Sequence, residues 1–158
     1  MRKPGELKVI TVIDGDTCIA VDPKGVRRKL RLVGVDAPEN GQRLSAEARD
    51  FLRAELLNRW SRVRWYGQDR YRRHLVRLTG RNGDVSAGLL RKGLAYPTKG
   101  VGLRLHALVA RLTLRGVWLT GARPHDSLKR KYRVLGWLSW QVETRKRKKR
   151  SRKNARPR

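Results

Sequence analysis

Runs of apolar and β-branched residues, separated by short polar breaks, divide the chain into elements. Lys8 to Val21 is rich in Val, Ile and Thr and is interrupted once, at Asp14-Gly15-Asp16, which predicts a β-hairpin. Val26 to Val35 predicts another strand, preceded by the turn Pro23-Lys-Gly25. Asp36-Ala-Pro-Glu39 ends it, because Pro38 lacks a donor and keeps Ala37 out of the helical region. Ser45 then opens a helix with Phe51, Leu52 and Leu56 as its apolar stripe and Glu47 near the positive end of the dipole. Val63–Tyr66 and Leu75–Leu78 predict two further strands, and Asn82-Gly83 a turn. A short helix is expected from about Val85 to Lys92, stopping at Gly93. A third is expected from about Val101 to Arg115, where Leu105, Leu108, Val109 and Leu112 repeat at i, i+3, i+4 and i+7 before Gly116. Strands segregated from helices indicate an α+β fold. Five short strands with a helix after the third suggest an OB-fold-type β-barrel with three helices and a basic C-terminal extension.

Charge narrows the partners. The 158 residues carry 40 Lys+Arg against 13 Asp+Glu, a net charge of +27, which points to an acidic partner and first to nucleic acid. The excess is unevenly spread. Residues 1–125, the expected barrel domain, hold 26 Lys+Arg and 11 acids; residues 126–158 hold 14 and two. From Arg145 to Arg158 there are ten basic residues and no acid, so this stretch is expected to be disordered in isolation. Its start, Arg145, Lys146, Arg147, Lys148, Lys149 and Arg150, reads as an arm for phosphates; a solubilising tail or an address signal is the other reading. The segment Tyr132–Val142, with Trp137 and Trp140, is too short to span a bilayer and is expected to pack on the main domain. No apolar run approaches the length of a membrane span, so no membrane partner is expected, and a monomer is. The N-terminal basic residues are followed by no apolar stretch of a secretory signal, so a cytoplasmic location is expected unless the N-terminus is processed. One cysteine, Cys18, excludes an intramolecular disulfide and a multi-cysteine zinc site.

The acids are few and grouped. Asp14 and Asp16 sit at one strand end, Asp36 and Glu39 at another. Oxygen ligands without Cys or His suit a hard cation such as calcium or magnesium. Asp-Gly and Asp-x-Pro are also ordinary turn formers, and spacing alone leaves both readings open. Arg31 and Arg73 add guanidinium forks that match phosphate oxygens. Cation, arginine pair and carboxylate together are the equipment of phosphodiester hydrolysis.

These residues resemble a family. Val12-Ile-Asp-Gly-Asp-Thr17, Leu30-Arg-Leu-Val-Gly-Val-Asp-Ala-Pro-Glu39, Asp69-Arg-Tyr-Arg-Arg73, Leu89-Leu-Arg-Lys-Gly-Leu-Ala95 and Gly116-Val-Trp118 occur in the order of the thermonuclease, or staphylococcal nuclease-like, domain. The resemblance implies an OB barrel and a calcium-dependent phosphodiesterase acting on DNA or RNA and leaving 3′-phosphates. It implies Asp16 and Asp36 as calcium ligands, with the Ala37 backbone carbonyl, and Asp14 supporting them. It implies Glu39 as the group that orients or deprotonates water, and Arg31 and Arg73 as the phosphate clamp. Arg70, Tyr71 and Tyr96 fall at substrate-contact positions. Arg72 stands where the family usually has glycine, so a positive φ there would strain the loop that carries Arg73. A binding module that has lost catalysis is the alternative, but such copies usually lose the acids and arginines retained here. Arg31 and Asp36 lie five apart, which puts them on opposite faces of a regular strand. If both serve one site, the strand must break near Val33-Gly34. Trp65, like Trp60 and Trp118, reads as structural.

Overall fold

The computed structural model describes residues 5–98 and 103–120. Five strands build the barrel: β1 (Glu6–Val12), β2 (Thr17–Val21), β3 (Arg27–Leu32), β5 (Trp60–Gln68) and β6 (His74–Gly80). Neighbours pair antiparallel in the order β3-β2-β1-β5-β6, and a parallel β3–β6 pairing closes the ring. Two short ladders flank it. β4 (Val35–Asp36) pairs with β8 (Tyr96–Pro97), and β7 (Gly83–Asp84) extends β6. The helices are α1 (Ser45–Leu56), α2 (Val85–Arg91), α3 (Arg104–Leu112) and the single turn α4 (Val117–Thr120). The expected α+β barrel with its three longer helices is present. The basic extension and the arm from Arg145 to Arg150 lie outside the described residues, as does the Trp137/Trp140 segment.

The interior follows strand parity where the strands are regular and bulges where they are not. Leu7, Val9 and Val12 of β1 all face the core although Val9 and Val12 are three apart. The register against β2 slips between Val9 and Thr11, and that extra residue turns Val12 back inward. Cys18 and Ala20, Leu30 and Leu32, and Val76 and Leu78 complete the inner rows. Cys18 is the small core residue its setting suggested; burial pushes its thiol up to about 12.

Helices close the barrel with the faces that allow close approach. In α1, Leu52 and Leu56 are fully buried, and the buried Glu55 accepts from the Asn82 backbone N–H (3.1 Å) and side-chain amide (2.7 Å), tying the helix to the β6–β7 turn. Asp84 caps α2 through the Ala87 N–H (2.8 Å). The third helix is present but turned from its expected face. Leu105, Leu108, Val109 and Leu112 are exposed, whereas Ala107 and Ala110 are buried. The reason is distance: the Ala110 methyl sits 3.4 Å from where a Cβ on Gly93 would stand, at the end of α2, an approach that larger side chains would prevent.

Candidate active site

The site lies where the β1–β2 turn meets the break after β3. Asp14 Oδ1 accepts from the Asp16 N–H (3.0 Å), a local turn that turns Asp16 inward. Asp16 is 6% exposed, and each of its carboxylate oxygens is used: Oδ1 accepts from the Thr17 hydroxyl (3.0 Å), and Oδ2 accepts from the Ala37 N–H (2.9 Å) and pairs with Arg31. The second guanidinium nitrogen of Arg31 donates to Asp36 Oδ1 at 2.9 Å. Asp36 is equally buried. One arginine fork thus spans two buried carboxylates that lie 20 residues apart in sequence.

The strand break makes this possible. β3 ends at Leu32, Val33 and Gly34 form a turn with Gly34 at φ 79°, and β4 begins at Val35. That conformation suits glycine, and it reverses the parity that would otherwise separate Arg31 from Asp36. The turn is held from three sides. Val33 N–H donates to Val76 O (2.9 Å), Ser86 Oγ to Val33 O (3.0 Å) and Thr98 N–H to Gly34 O (3.0 Å).

Burial pushes the Asp16 carboxyl up to about 7, from an ordinary 3.8; the Arg31 charge opposes this and the Asp14 charge adds to it. A single guanidinium shared between two carboxylates therefore does not offset the loss of water around Asp16.

The second arginine is organised by a residue that sequence reading passed over. Asp69 Oδ1 accepts from the backbone N–H of Tyr71 and of Arg73 (2.9 Å each), and Oδ2 accepts from Arg73 Nε (2.7 Å). Burial works to raise the Asp69 carboxyl, but these hydrogen bonds outweigh it and hold it below its ordinary value. An aspartate four residues before the arginine, in a polar turn, was the available signal. Arg72 does adopt the left-handed conformation, with φ 58°. Tyr71 is 63% exposed at the loop tip, where the guanidinium carbons of Arg70 and Arg73 lie 4.7 and 5.4 Å from its ring centre. In the β3–β6 register Arg31 pairs with Leu75, two residues past Arg73, so both arginines belong to one face of the barrel wall.

Two expected residues stand differently. Glu39 is exposed in a turn three residues past Asp36, closed by Gln42, whose side-chain oxygen accepts from the Glu39 N–H (3.1 Å). Among the described residues no three His, Cys, Asp or Glu side chains stand close enough together to hold a metal ion, so Asp16 and Asp36 form a pair rather than a triad with Glu39. Tyr96 is a correction. It pairs with Asp36 across the β4–β8 ladder, but it is 6% exposed, its hydroxyl donates to Val117 O (3.1 Å), and its ring packs edge-on against Trp118 at 5.1 Å. A ring so enclosed supports α4 and has no face for a base.

An OB-type barrel carrying a carboxylate pair, a shared arginine and a second arginine on the same wall is the arrangement that the family resemblance implied. The comparisons agree. Residues 29–104 match the family model described as staphylococcal nuclease homologue. A thermonuclease of Staphylococcus hyicus is 40% identical over 96 residues, 56% of this chain and 56% of that protein. An uncharacterized endonuclease of Escherichia coli O157:H7 is 32% identical over 117 residues, 70% of this chain and 75% of the relative. A probable endonuclease of Podospora anserina is 32% identical over 119 residues, covering 43% of its length. The chain belongs to the staphylococcal nuclease homologue family, which places it among the nucleases.

Proposed function

We propose that this protein is a calcium-dependent nuclease that hydrolyses phosphodiester bonds of DNA, RNA or both with little sequence specificity and leaves 3′-phosphate ends. The observation that carries the reading is Arg31 spanning the buried Asp16 and Asp36. Asp16 and Asp36, hard oxygen donors, would hold calcium together with the Ala37 backbone carbonyl that the family resemblance adds, with Asp14 keeping Asp16 in place. A calcium ion held by these residues would supply positive charge beside a phosphoryl oxygen. Arg31 and Arg73 present donors to the oxygens on which charge builds in the transition state. Glu39, at the solvent edge, orients the attacking water and takes its proton. Arg70 and Tyr71 contact the strand from the loop tip, and the arm at Arg145–Arg150 adds sequence-independent grip.

The test is cleavage of plasmid DNA and RNA with calcium, magnesium or excess chelator. Cleavage with calcium, none with chelator, and ends that a polymerase extends only after phosphatase treatment are expected. Unchanged cleavage in chelator overturns the calcium assignment, and 3′-hydroxyl ends overturn the assigned products. Binding without cleavage under any cation establishes the alternative, a catalytically inactive nucleic-acid-binding module. Glu39→Ala should lower turnover by orders of magnitude with binding retained; equal rates would remove Glu39 from the mechanism.

A further inference from the structure

The barrel has a second feature that the hydrolytic site does not use. Inner-facing positions end in aliphatic residues along most of each strand, but at one mouth they end in Arg28, Trp65 and His74. Arg28 is two residues before the fully buried Leu30 on β3, and His74 is two before the fully buried Val76 on β6. Trp65 on β5 pairs with Val76 itself. These side chains, with Leu7 and Val63 beneath them, line a groove of about 620 Å³. Trp65, expected to be structural, is 44% exposed. The His74 ring meets it edge-on at 5.4 Å, and the Arg28 guanidinium lies 6.0 Å from its centre.

We propose that this mouth is a stacking subsite for an unpaired nucleobase of a bound strand, a reading that rests on the nucleic-acid substrate proposed above. An indole held by an imidazole and covered on one face by the Arg28 guanidinium has its other π-face for a base, with the cation–π contact behind it. Of the groove's two acids, Glu6 and Asp22, the second is already engaged: its carboxylate accepts from the backbone of Lys24 and Val26 (2.9 Å each) and pairs with Arg28. The flanking strands supply exposed Arg27, Lys29, Arg62 and Arg64 for the strand's phosphates.

The subsite is tested with the full chain in excess chelator, by fluorescence anisotropy of a short labelled single-stranded DNA in which an abasic site is placed at each position in turn. Moderate salt limits the contribution of the basic arm. Wild-type binding should weaken at one position by roughly 5- to 150-fold. Trp65→Ala should bind the intact strand as weakly and lose the position dependence, while Trp65→Phe keeps it. A flat abasic profile in the wild type, or an unchanged profile in Trp65→Ala, overturns the subsite. If the alanine variant does not fold, the wild-type profile alone decides, because a flat one is sufficient to reject the proposal. A wild type that binds no strand at all overturns the substrate reading itself, a result distinct from a flat profile.

Discussion

Replacing Gly15 by alanine should damage both the fold and the site. Gly15 is buried in the β1–β2 turn, and its φ is not in the left-handed range, so conformational freedom is not what it provides. It provides space. A Cβ added there would stand 2.6 Å from the Cβ of Ala37 and 2.6 Å from the Cβ of Ala48, where ordinary contact begins at 3.4 Å. Both shortfalls are about 0.8 Å, and neither neighbour can rotate away, because a Cβ is fixed to its backbone. Either α1 moves out at Ala48 or the Asp36–Ala37 segment moves away from Asp16. Overpacking of this kind costs about 1–3 kcal/mol, with two rigid contacts favouring the upper end. The reduced freedom of the unfolded alanine chain returns about 0.5–1 kcal/mol. A net loss of about 2 kcal/mol is therefore expected, read as a lowered urea midpoint at unchanged m-value. Displacing the Ala37 N–H from Asp16 Oδ2 should also slow DNA cleavage by about 100-fold. Adding Ala48→Gly removes one of the two clashes, so the double variant should be less destabilised than the sum of the singles. A Gly15→Ala midpoint within about 0.5 kcal/mol of wild type, or strict additivity in the double variant, would refute the packing argument.

Without added cation, stability should depend on Asp16. Its folded value of about 7 lies above the ordinary 3.8, so the fold retains a proton that the unfolded chain releases. The stabilising contribution is complete below the ordinary value and is lost as pH rises through about 7, by up to about 4 kcal/mol at 1.36 kcal/mol per unit. Urea titrations in chelator should show that fall in the wild type and a flatter profile in Asp16→Asn, with cleavage lost; a parallel pH profile in the variant would contradict the assignment. Arg72→Gly should raise stability by about 0.5–1 kcal/mol, because glycine removes a left-handed penalty of about 1–2 kcal/mol and returns part of it as unfolded-chain entropy; a lowered thermal midpoint would contradict this. Removing residues 145–158 should weaken DNA binding at moderate salt and reduce the slope of log affinity against log salt, while single-turnover cleavage at saturating DNA stays near wild type. A matching collapse of that rate would place the arm in the chemistry.

The sequence by itself determined the order and type of the barrel strands and the three longer helices, because the residues that specify them are local. β-Branched runs, the breaks at Asp14–Asp16 and Val33-Gly34, and the glycines closing the helices each act within a few residues. It also determined which acids and arginines were available, since so basic a chain keeps few carboxylates and they fall at strand ends. Tertiary structure alone decided which side chains meet and which faces close. The Asp16–Arg31–Asp36 bridge joins two turns through the β2–β3 ladder and the Gly34 turn, and no local pattern encodes a distance across a barrel. Tyr96 looked available and is enclosed by Trp118 and Val117; Trp65 looked structural and stands open at a barrel mouth. Periodicity marked the leucines of α3, yet the helix packs through Ala107 and Ala110, because Gly93 lets two backbones approach more closely than leucines would. Gly15 shows the same division at one residue. Its place in an Asp-Gly-Asp turn was plain from the sequence, but the reason no side chain fits there is set by Ala37 and Ala48, which only the fold brings against it.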